Sequence, residues 1–429
     1  MIKIYKLGQD ITEKEILSRD SNIDFSKVEK AVAEIIANVK SEGDKALYEY
    51  TQKFDGCYLS DLRVSKAELD YAVKNTDKKF IQTLKEARDN IFAFHEKQRR
   101  EGFEIQHSDG RVLGQRILPV RRAGVYVPGG TASYPSTVLM DVVPAVVAGV
   151  KEIVMVTPPN KDGKVQNEIL VAAVVAGVTE IYKVGGAQAI AGLAYGTETI
   201  NKVDKIVGPG NIFVATAKKA VSGEVGIDMF AGPSEILIIA DGNANPEFLA
   251  SDLLSQAEHD KLASAVLVTT SSRLAIKTQE AVERRLNQLP RKEIARHSIE
   301  TNGKIIVVKS INEAVRISDA LAPEHLEIVT ENPFEVMNKV KNAGSIFLGA
   351  YTPEPLGDYF AGPNHTLPTS GTARFSSPLG VDDFVKRNSY IYYSKDALDK
   401  VADKVADFAE REGLSAHARA ILARTEKED

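Results

Sequence analysis

The stretch that decides the fold runs from residue 152 to residue 184. It reads EIVMVT (152–157), then ILVAAVVAGV (169–178), then EIYKV (180–184). Two short β-branched runs on either side of an Ala/Val-rich helical stretch are typical of a βαβ unit in a parallel sheet. Glycine or proline after each short run indicates the turn that leads from strand to helix.

The same alternation extends in both directions along the chain. The predicted strands are 123–127, 152–157, 180–184, 205–207, 235–240, 265–269, 304–308, 326–329 and 345–348. These two series predict two doubly wound α/β domains, a fold in which ligands usually bind in the crevice at the carboxyl ends of the strands. The first hundred residues are predicted to be helical, including a long helix over 65–99, and a helix over 396–412 is predicted to end at Gly413.

The composition limits which chemistry the chain can carry. Its 429 residues suit two or more domains, and a net charge of −5 argues against nucleic acid as the main partner. The single cysteine, Cys57, excludes a disulfide framework, so a transition-metal site would have to use histidine, carboxylate and amide ligands. The N-terminus has no signal-peptide pattern and no apolar run is long enough to span a bilayer, which predicts a cytoplasmic location without membrane contact.

Seven histidines are the natural candidates for chemistry, and they divide into two groups. Three lie in or near charged segments and are predicted to be solvated surface residues: His95, His107 and His297. The other four lie in short motifs that also carry carboxylate or amide side chains: SQAEH (255–259), PEH (323–325), GPNH (362–365) and EGLSAH (412–417).

Two of these motifs have a plain structural explanation beside a functional one. Gln256 and His259 share one helix face and could approach a metal ion, but a solvated polar face gives the same spacing. Glu324 and His325 could form an acid–base pair if Pro323 begins a turn, and an ordinary strand start fits the sequence equally well.

The last two motifs lie in or beyond a segment rich in proline and glycine. Residues 350–380 are predicted to form a structureless loop with a functional role. Asp358 and His365 in this loop offer a carboxylate and an imidazole, or simply a turn held by Asx hydrogen bonds. His417, which follows the last predicted helix, has the surroundings of an ordinary surface residue.

Three glycine stretches follow predicted strands and could bring backbone amides close to a pyrophosphate at a helix start. They are YVPGG (126–130), GGAQ (185–188) and GPGN (208–211). None of them is the GxGxxG fingerprint, so these stretches alone indicate a dinucleotide only weakly.

Taken together and in order, the motifs resemble those of the histidinol dehydrogenase family over essentially the whole chain. The resemblance rests on the four histidine motifs, the three glycine stretches, AGPSE (231–235) and GDY (357–359). It implies the NAD-linked four-electron oxidation of L-histidinol through L-histidinaldehyde to L-histidine, the last steps of histidine biosynthesis.

The resemblance also implies a role for individual side chains, carried over position by position. One zinc ion per subunit would be held by Gln256, His259, Asp358 and His417. Proton transfer would belong to Glu324 and His325. Besides His325 and the metal ligands, the substrate contacts would be Ser234, His365 and Glu412. NAD would lie near Tyr126, Gln188 and Asn211.

At the level of the whole molecule, the resemblance implies an α/β fold of two incomplete Rossmann-like domains, whose parallel sheets are flanked by helices, with small N- and C-terminal helical segments. The implied ranges are 1–21 for the N-terminal segment, 22–125 plus 234–380 for the catalytic domain, 126–233 for the NAD domain and 381–429 for the C-terminal segment. The chain would form a homodimer in which each C-terminal segment completes the partner subunit's site.

Two other functions remain open on the sequence alone. One is a related zinc- and NAD-dependent dehydrogenase that acts on another polar alcohol. The other is a non-enzymatic metal-binding or nucleotide-sensing protein, against which the Glu324–His325 pair argues. No motif brings a cysteine near the candidate site, and this separates the chain from aldehyde dehydrogenases, which need a thiol nucleophile.

Overall fold

A computed structural model of the chain describes residues 1–17, 25–129, 134–230 and 232–425. The chain divides into two compact units, which are described separately. The main unit comprises Met1–Gln98 and Val120–Phe384, and the tail unit comprises Arg99–Pro119 and Val385–Asp429.

The regular elements within the described residues are as follows. The strands are β1 (Lys3–Lys6), β2 (Phe103–Gln106), β3 (Val112–Pro119), β4 (Arg122–Tyr126), β5 (Glu152–Thr157), β6 (Glu180–Lys183), β7 (Lys205–Val207), β8 (Gly226–Ile227), β9 (Glu235–Ala240), β10 (Ser264–Thr269), β11 (Lys304–Val307), β12 (His325–Val329), β13 (Ser345–Leu348) and β14 (Val385–Tyr392). The helices are α1 (Glu13–Leu17), α2 (Phe25–Glu42), α3 (Asp44–Asp55), α4 (Lys66–Asn75), α5 (Lys78–Glu96), α6 (Pro135–Ala148), α7 (Asn167–Ala176), α8 (Gly186–Tyr195), α9 (Ile212–Val221), α10 (Pro246–Ala257), α11 (Ser272–Leu286), α12 (Lys292–Thr301), α13 (Ile311–Leu321), α14 (Pro333–Met337), α15 (Glu354–Tyr359), α16 (Lys395–Asp399), α17 (Ala402–Arg411) and α18 (Ser415–Leu422).

The larger parallel sheet of the main unit has the strand order β1-β11-β10-β9-β12-β13. Apart from the added edge strand β1, the order counted along the chain is 3-2-1-4-5, which is the Rossmann order without its sixth strand. Its central strands β9 and β12 are buried along nearly their whole length. Burial on both faces explains why β9 (EILIIA) is a nearly continuous hydrophobic run, whereas β12 (HLEIV) also carries the buried polar side chains of His325 and Glu327.

The smaller parallel sheet repeats this plan with the order β6-β5-β4-β7-β8. Counted along the chain this is again 3-2-1-4-5, and helices α6 to α9 connect or follow its strands. The prediction of an α/β fold with two incomplete Rossmann-like sheets is therefore confirmed. In each sheet the order reverses beside the first strand, so the reversal lies between β4 and β7 here and between β9 and β12 in the larger sheet.

The prediction of helices throughout the first hundred residues is wrong at the N-terminus. Residues Lys3–Lys6 form β1, which pairs in parallel with β11. Short length and terminal lysines are typical of an edge strand that is protected against further pairing. A strand of this kind has too little apolar periodicity to be recognised from the sequence. The predicted helix over 65–99 is two helices, α4 and α5, because Asp77 caps the second one.

Helical structure also differs from the prediction near the C-terminus. The loop predicted over 350–380 contains the short helix α15, which starts after Pro353. The predicted helix over 396–412 is divided into α16 and α17, and Gly413 ends the second with a positive φ of 76° as expected.

Helices α2 and α3 pack against α8 and α9, the helices that cover one face of the smaller parallel sheet. Their apolar side chains, among them Val32, Ile35 and Leu47, share one core cluster with Tyr126 of β4 and Ile190 of α8. The family resemblance groups residues 22–125 with residues 234–380 instead. The helical pattern of residues 22–125 does not indicate which sheet these helices pack against. The domain boundaries of the sequence analysis stay a prediction.

The tail unit contains an antiparallel sheet with the order β14-β3-β2. Helices α17 and α18 pack against each other through alanines, including Ala406, Ala409 and Ala418. Within the ranges that the structure describes, the helices are all too short or too polar to cross a lipid bilayer.

Candidate active site

The Glu324–His325 pair lies where β12 begins, and both side chains contact the backbone of Glu235, the first residue of β9. The Glu235 amide donates to Glu324 Oε2 at 2.8 Å, and the Glu235 carbonyl oxygen lies 3.0 Å from His325 Nδ1. Glu324 Oε2 and His325 Nδ1 are 3.6 Å apart. Both residues therefore belong to one site, which answers the question that the sequence left open.

The turn before this pair explains how adjacent residues can share a site. Ala322 ends α13 in the left-handed conformation, with φ 47° and ψ 64°. A non-glycine residue adopts this conformation only at a cost, and such strain is most common at functional sites. Pro323 then fixes the direction of the chain, so that Glu324 enters the site from the turn and His325 from the first position of the strand.

Helix α15 supplies two further carboxylates to the same place. Glu354 and Asp358 are four residues apart and therefore lie on one face of this helix. Glu354 Oε1 and Asp358 Oδ1 each lie 3.9 Å from His325 Nε2. The ligand atoms of these three side chains all lie within 4.8 Å of one another, which is close enough to surround one metal ion.

The position of α15 is fixed by a second layer of buried polar contacts. The Glu354 amide donates to Glu327 Oε1 at 2.9 Å, and the Ser255 hydroxyl lies 3.4 Å from Glu354 Oε2. The Asp252 carboxyl group of α10 is close enough to raise the pKa of the buried Glu327 further. Helices α10 and α15 and strand β12 are thus tied together behind the site.

His365 approaches from the chain beyond α15. Its Nδ1 lies 3.0 Å from the Asp358 carbonyl oxygen and 3.9 Å from Asp358 Oδ1. It lines, together with His325, Asp358 and Phe347, a cavity of about 100 Å³. The imidazoles of His325 and His365 therefore face the same small space, on either side of the Asp358 carboxylate.

Gln256 and His259 lie at the end of α10, the helix whose Ser255 approaches Glu354. Asn245 caps this helix and Pro246 occupies its first position, as the sequence predicts. Gln256 is fully buried, and neither its amide oxygen nor its amide nitrogen has a hydrogen-bond partner among the described residues. His259 is exposed, and its imidazole is near enough to influence the pKa of both His325 and His365.

Burial dominates the electrostatics of the site. Loss of solvent raises the pKa of Glu324 well above its ordinary value. Loss of solvent, together with the neighbouring Asp358 carboxylate, raises the pKa of Glu354 to about 9. It lowers the pKa of His325 to about 3 and that of His365 to about 4, so both imidazoles are neutral at pH 7.

The site lies at the amino ends of the larger sheet's strands. His325 is the first residue of β12, Glu235 is the first residue of β9, and Ser234 immediately precedes it. These side chains therefore lie at the edge opposite to the carboxyl ends, where ligands of doubly wound folds usually bind. The reason is that the turns after α10 and α13, which carry the polar side chains, return the chain to the amino edge of the sheet.

The candidate nucleotide residues do lie at carboxyl ends, in the smaller sheet. Tyr126 ends β4 and its hydroxyl accepts a hydrogen bond from the Gly186 amide at 3.1 Å. Gln188 lies buried in the first turn of α8, and its Oε1 has no hydrogen-bond partner within the described part of the chain. Asn211 caps α9 by accepting from the amides of residues 213 and 214, which leaves its side-chain amide group to donate to a ligand.

Comparison of the sequence with known proteins identifies the family to which the chain belongs. The histidinol dehydrogenase family model matches residues 18–425. Histidinol dehydrogenase of Clostridium acetobutylicum is 59% identical over 93% of each chain, and that of Listeria monocytogenes is 55% identical over 97% of each chain. The chain belongs to the histidinol dehydrogenase family. It is accordingly an oxidoreductase of histidine biosynthesis.

A solved histidinol dehydrogenase has the same fold. The crystal structure from Elizabethkingia anophelis superimposes with a TM-score of 0.92 at 40% identity, and the match covers 99% of this chain and 98% of that one. The likeness therefore extends over both units of the chain.

Within this histidinol dehydrogenase fold, the structure brings together Glu324, His325, Asp358 and His365, and His259 is near enough to influence both imidazoles. Glu412 ends α17 and His417 lies in α18, so both belong to the tail unit, where they are exposed. Gly130 and Ala231 of the predicted motifs lie outside the described residues.

Glu354 is the site residue that sequence reasoning missed. It lies between Pro353 and Pro355 in a segment predicted to be a loop, where helical spacing has no meaning. The four-residue spacing of Glu354 and Asp358 could have indicated a shared helix face, had a helix been expected there.

The three histidines predicted to be solvated have different surroundings. His297 is exposed, as predicted, and His107 is half-buried. The prediction is wrong for His95, which is fully buried in α5 with its Nδ1 2.8 Å from the Ile91 carbonyl oxygen. A single histidine in a charged helix gives no sign of which face it occupies.

Proposed function

We propose that the chain catalyses the NAD-linked oxidation of L-histidinol through L-histidinaldehyde to L-histidine, with one zinc ion per subunit. The observation that carries this proposal is the buried Glu324–His325 pair facing the Glu354 and Asp358 carboxylates, in a chain of this family. The substrate and the direction of the reaction come from the family. The proton chemistry comes from the geometry.

His325 is suited to accept the alcohol proton through Nε2. Its Nδ1 faces the Glu235 carbonyl oxygen, which can only accept, so Nδ1 carries the ring proton. The lone pair is then on Nε2, which is buried and has no hydrogen-bond partner among the described residues. When hydride leaves the carbinol carbon for NAD⁺, the hydroxyl proton can pass to this nitrogen and the aldehyde forms.

Glu324 is suited to the second oxidation. The aldehyde must add water before a second hydride can leave, and a buried carboxylate is a stronger base than an exposed one. The water oxygen becomes bonded to the carbonyl carbon while one water proton goes to Glu324. Hydride then leaves that carbon for a second NAD⁺, and the remaining hydroxyl proton is released to solvent. The product is the carboxylate of L-histidine.

The residues at the end of α10 fit a metal ion. Among the residues that the structure describes, neither the buried amide of Gln256 nor Glu354 Oε1 has a hydrogen-bond partner, and a bound cation would complete the bonding of such oxygens. We infer that Gln256, His259, Asp358 and His417 hold zinc, with Ser234, His365 and Glu412 in contact with the substrate. Bound zinc would supply a Lewis acid that fixes the imidazole and amine of the substrate.

Tyr126, Gln188 and Asn211 support binding of NAD at the smaller sheet. Tyr126 ends β4 and Asn211 follows β7, on either side of the point where the strand order reverses. This is the usual position of a nucleotide in an open α/β sheet. The unpartnered Oε1 of Gln188 would gain a hydrogen bond from the ligand.

We further propose a cytoplasmic homodimer in which α17 and α18 of one subunit complete the partner subunit's site. Glu412 and His417 are exposed on their own chain, as groups that serve another subunit would be. No contact with nucleic acid or with a membrane is proposed.

The metal part of the proposal is tested by removing the ion. Protein treated with a strong chelator and then freed of it should lose histidinol-dependent NADH formation, and equimolar zinc should restore it. Zinc content should approach one per subunit in wild type and fall in Gln256→Ala. Full activity in protein shown to be free of metal would contradict the proposal.

A further inference from the structure

A buried polar network joins the chain segment that carries His365 to helix α6. The Thr366 hydroxyl donates to Asp141 Oδ1 at 2.7 Å, and the Asn364 side-chain amide donates to the Met140 carbonyl oxygen at 2.6 Å. All four partners are buried. None of these contacts includes a residue to which the proposed chemistry gives a part.

The two anchors lie immediately on either side of His365. Asn364 and Thr366 both direct their side chains to α6, while the His365 imidazole faces the Asp358 carbonyl oxygen. The Thr366 amide also donates to Asn364 Oδ1 at 2.8 Å, which ties the two anchors to each other. His365 is therefore held at both neighbours, and its backbone can move only if these buried hydrogen bonds break.

The far side of Asp141 faces the turn that follows β7. The Lys218 ammonium donates to the Gly208 carbonyl oxygen at 2.8 Å, and Asp228 Oδ2 accepts from the Gly208 amide at 2.9 Å. Lys218 and Asp228 also form a buried ion pair. Both are near enough to influence the ionisation of Asp141. Asp141, which binds the His365 segment, therefore belongs to the same buried group as Lys218 and Asp228, whose side chains contact the turn before Asn211.

We propose that Thr366 and Asp141 form a positioning pair, which holds His365 at the correct distance from a substrate bound beside Asp358. The role of His365 as a substrate contact rests on the function proposed above. The pair touches neither substrate nor cofactor. It acts by fixing the backbone of His365 relative to the sheet that carries the nucleotide residues.

The consequence of breaking the pair follows from its geometry. Without the hydroxyl, Asp141 loses a hydrogen-bond donor in a fully buried position, and the His365 segment loses one of its two anchors to α6. A displacement of about 1 Å at a binding group lowers turnover by as much as a hundredfold. We expect kcat/KM for histidinol to fall by roughly tenfold to a hundredfold.

The test compares three substitutions in one segment. Thr366→Val removes the hydroxyl and keeps the shape, whereas Thr366→Ser keeps the hydroxyl and should retain activity. Thr372→Val is the matched control, because Thr372 donates to the Thr369 carbonyl oxygen at 2.7 Å within the same segment and does not bond to α6. Thr366→Val should lower kcat/KM for histidinol while KM for NAD stays within about twofold and the thermal midpoint stays close to that of Thr372→Val.

A spectroscopic measurement keeps this inference separate from the proposed function. The imidazole resonances of His365, assigned with His365→Gln in protein labelled at its histidines, should shift in Thr366→Val and not in Thr366→Ser or Thr372→Val. Unchanged His365 resonances together with unchanged kcat/KM would overturn the positioning role. If wild type does not oxidise histidinol, the proposed function fails, and the His365 resonances alone decide whether Thr366 positions that ring.

Discussion

At the scale of single residues, the site is marked by buried polar atoms that lack partners. His325 Nε2, Glu354 Oε1 and both amide atoms of Gln256 are buried and make no hydrogen bond within the described residues. Each such atom costs about 1–3 kcal/mol if it stays unpaired. His325 Nε2 and Glu354 Oε1 lie 3.9 Å apart, and two such atoms so close together indicate that a ligand completes their bonding.

Most of these residues could be predicted from the sequence, because their side chains and motifs indicate chemistry. One could not, because its role depends on where the fold places it. Glu324 and His325 are adjacent, and Asp358 lies in a motif of the family, so a single sequence suffices to select them. Glu354 could not be selected, since its role depends on α15 turning it toward His325, and proline on both sides hides that helix.

The first prediction concerns Glu354. Glu354→Gln keeps the size of the side chain and replaces an ionisable carboxyl group, whose Oε1 lies 3.9 Å from His325 Nε2, with an amide that cannot ionise. We expect the zinc affinity or kcat to fall by about tenfold to a hundredfold, as is usual when a group beside a metal ligand is altered. Zinc titration of the metal-free protein and steady-state kinetics would measure the two effects.

The control for this prediction is Glu335→Gln in α14. Glu335 is exposed and occupies the first turn of its helix, so its loss should leave both zinc affinity and kcat unchanged. Wild-type behaviour of Glu354→Gln would show that the carboxylate is only a structural neighbour of the site.

At the scale of elements, the ranges of the strands were easier to predict than the edge of the sheet at which the candidate site lies. The ranges 152–157, 205–207, 235–240 and 345–348 match β5, β7, β9 and β13 residue for residue. Buried parallel strands are continuous apolar runs bounded by glycine, proline or charge, and such runs have clear limits. The edge strand β1 has no such run, and which edge of the larger sheet carries the site depends on turns that periodicity does not describe.

The close packing of elements gives a second prediction, at Gly208. This residue has a φ of 113°, and a Cβ there would overlap the Tyr126 carbonyl oxygen where β4 and β7 end. Gly208→Ala should therefore distort the turn before Asn211, raise KM for NAD by roughly tenfold or more and destabilise the main unit by about 1–3 kcal/mol. NAD kinetics and urea unfolding would measure these changes.

Gly223→Ala is the matched control for the substitution at Gly208. Gly223 has a similar φ of 100°, but no atom lies within 4 Å of the position of its Cβ. This variant carries the cost of the positive φ without the steric overlap, so KM for NAD should stay near the wild-type value. Equal KM values for the two variants would mean that the Gly208 turn does not support the nucleotide.

At the scale of the whole molecule, the main unit holds most of the predicted site but not all of it. Glu412 and His417 lie in the tail unit, on helices whose own core is little more than a few alanines. The family motif around His417 could be recognised from sequence. Whether that segment completes the site of its own subunit or of the partner subunit depends on how the subunits assemble, and the sequence of one chain does not determine this.

Mixed dimers would test whether the sites are shared. His325→Asn and His417→Ala subunits should each be nearly inactive alone. After subunit exchange, half of the dimers are hybrids, and each hybrid has one site with neither substitution, so activity should recover to about a quarter of wild type. No recovery, with exchange demonstrated by mass spectrometry of tagged subunits, would mean that each site is built from one chain.

The central claim is that one site performs both oxidations without releasing the aldehyde. The most direct measurement is the amount of NADH formed from a limiting amount of L-histidinol, with L-histidine quantified and an aldehyde trap present. The account predicts about two NADH and one L-histidine per histidinol, unaffected by the trap. One NADH per histidinol, with trapped aldehyde in equal amount, would contradict it.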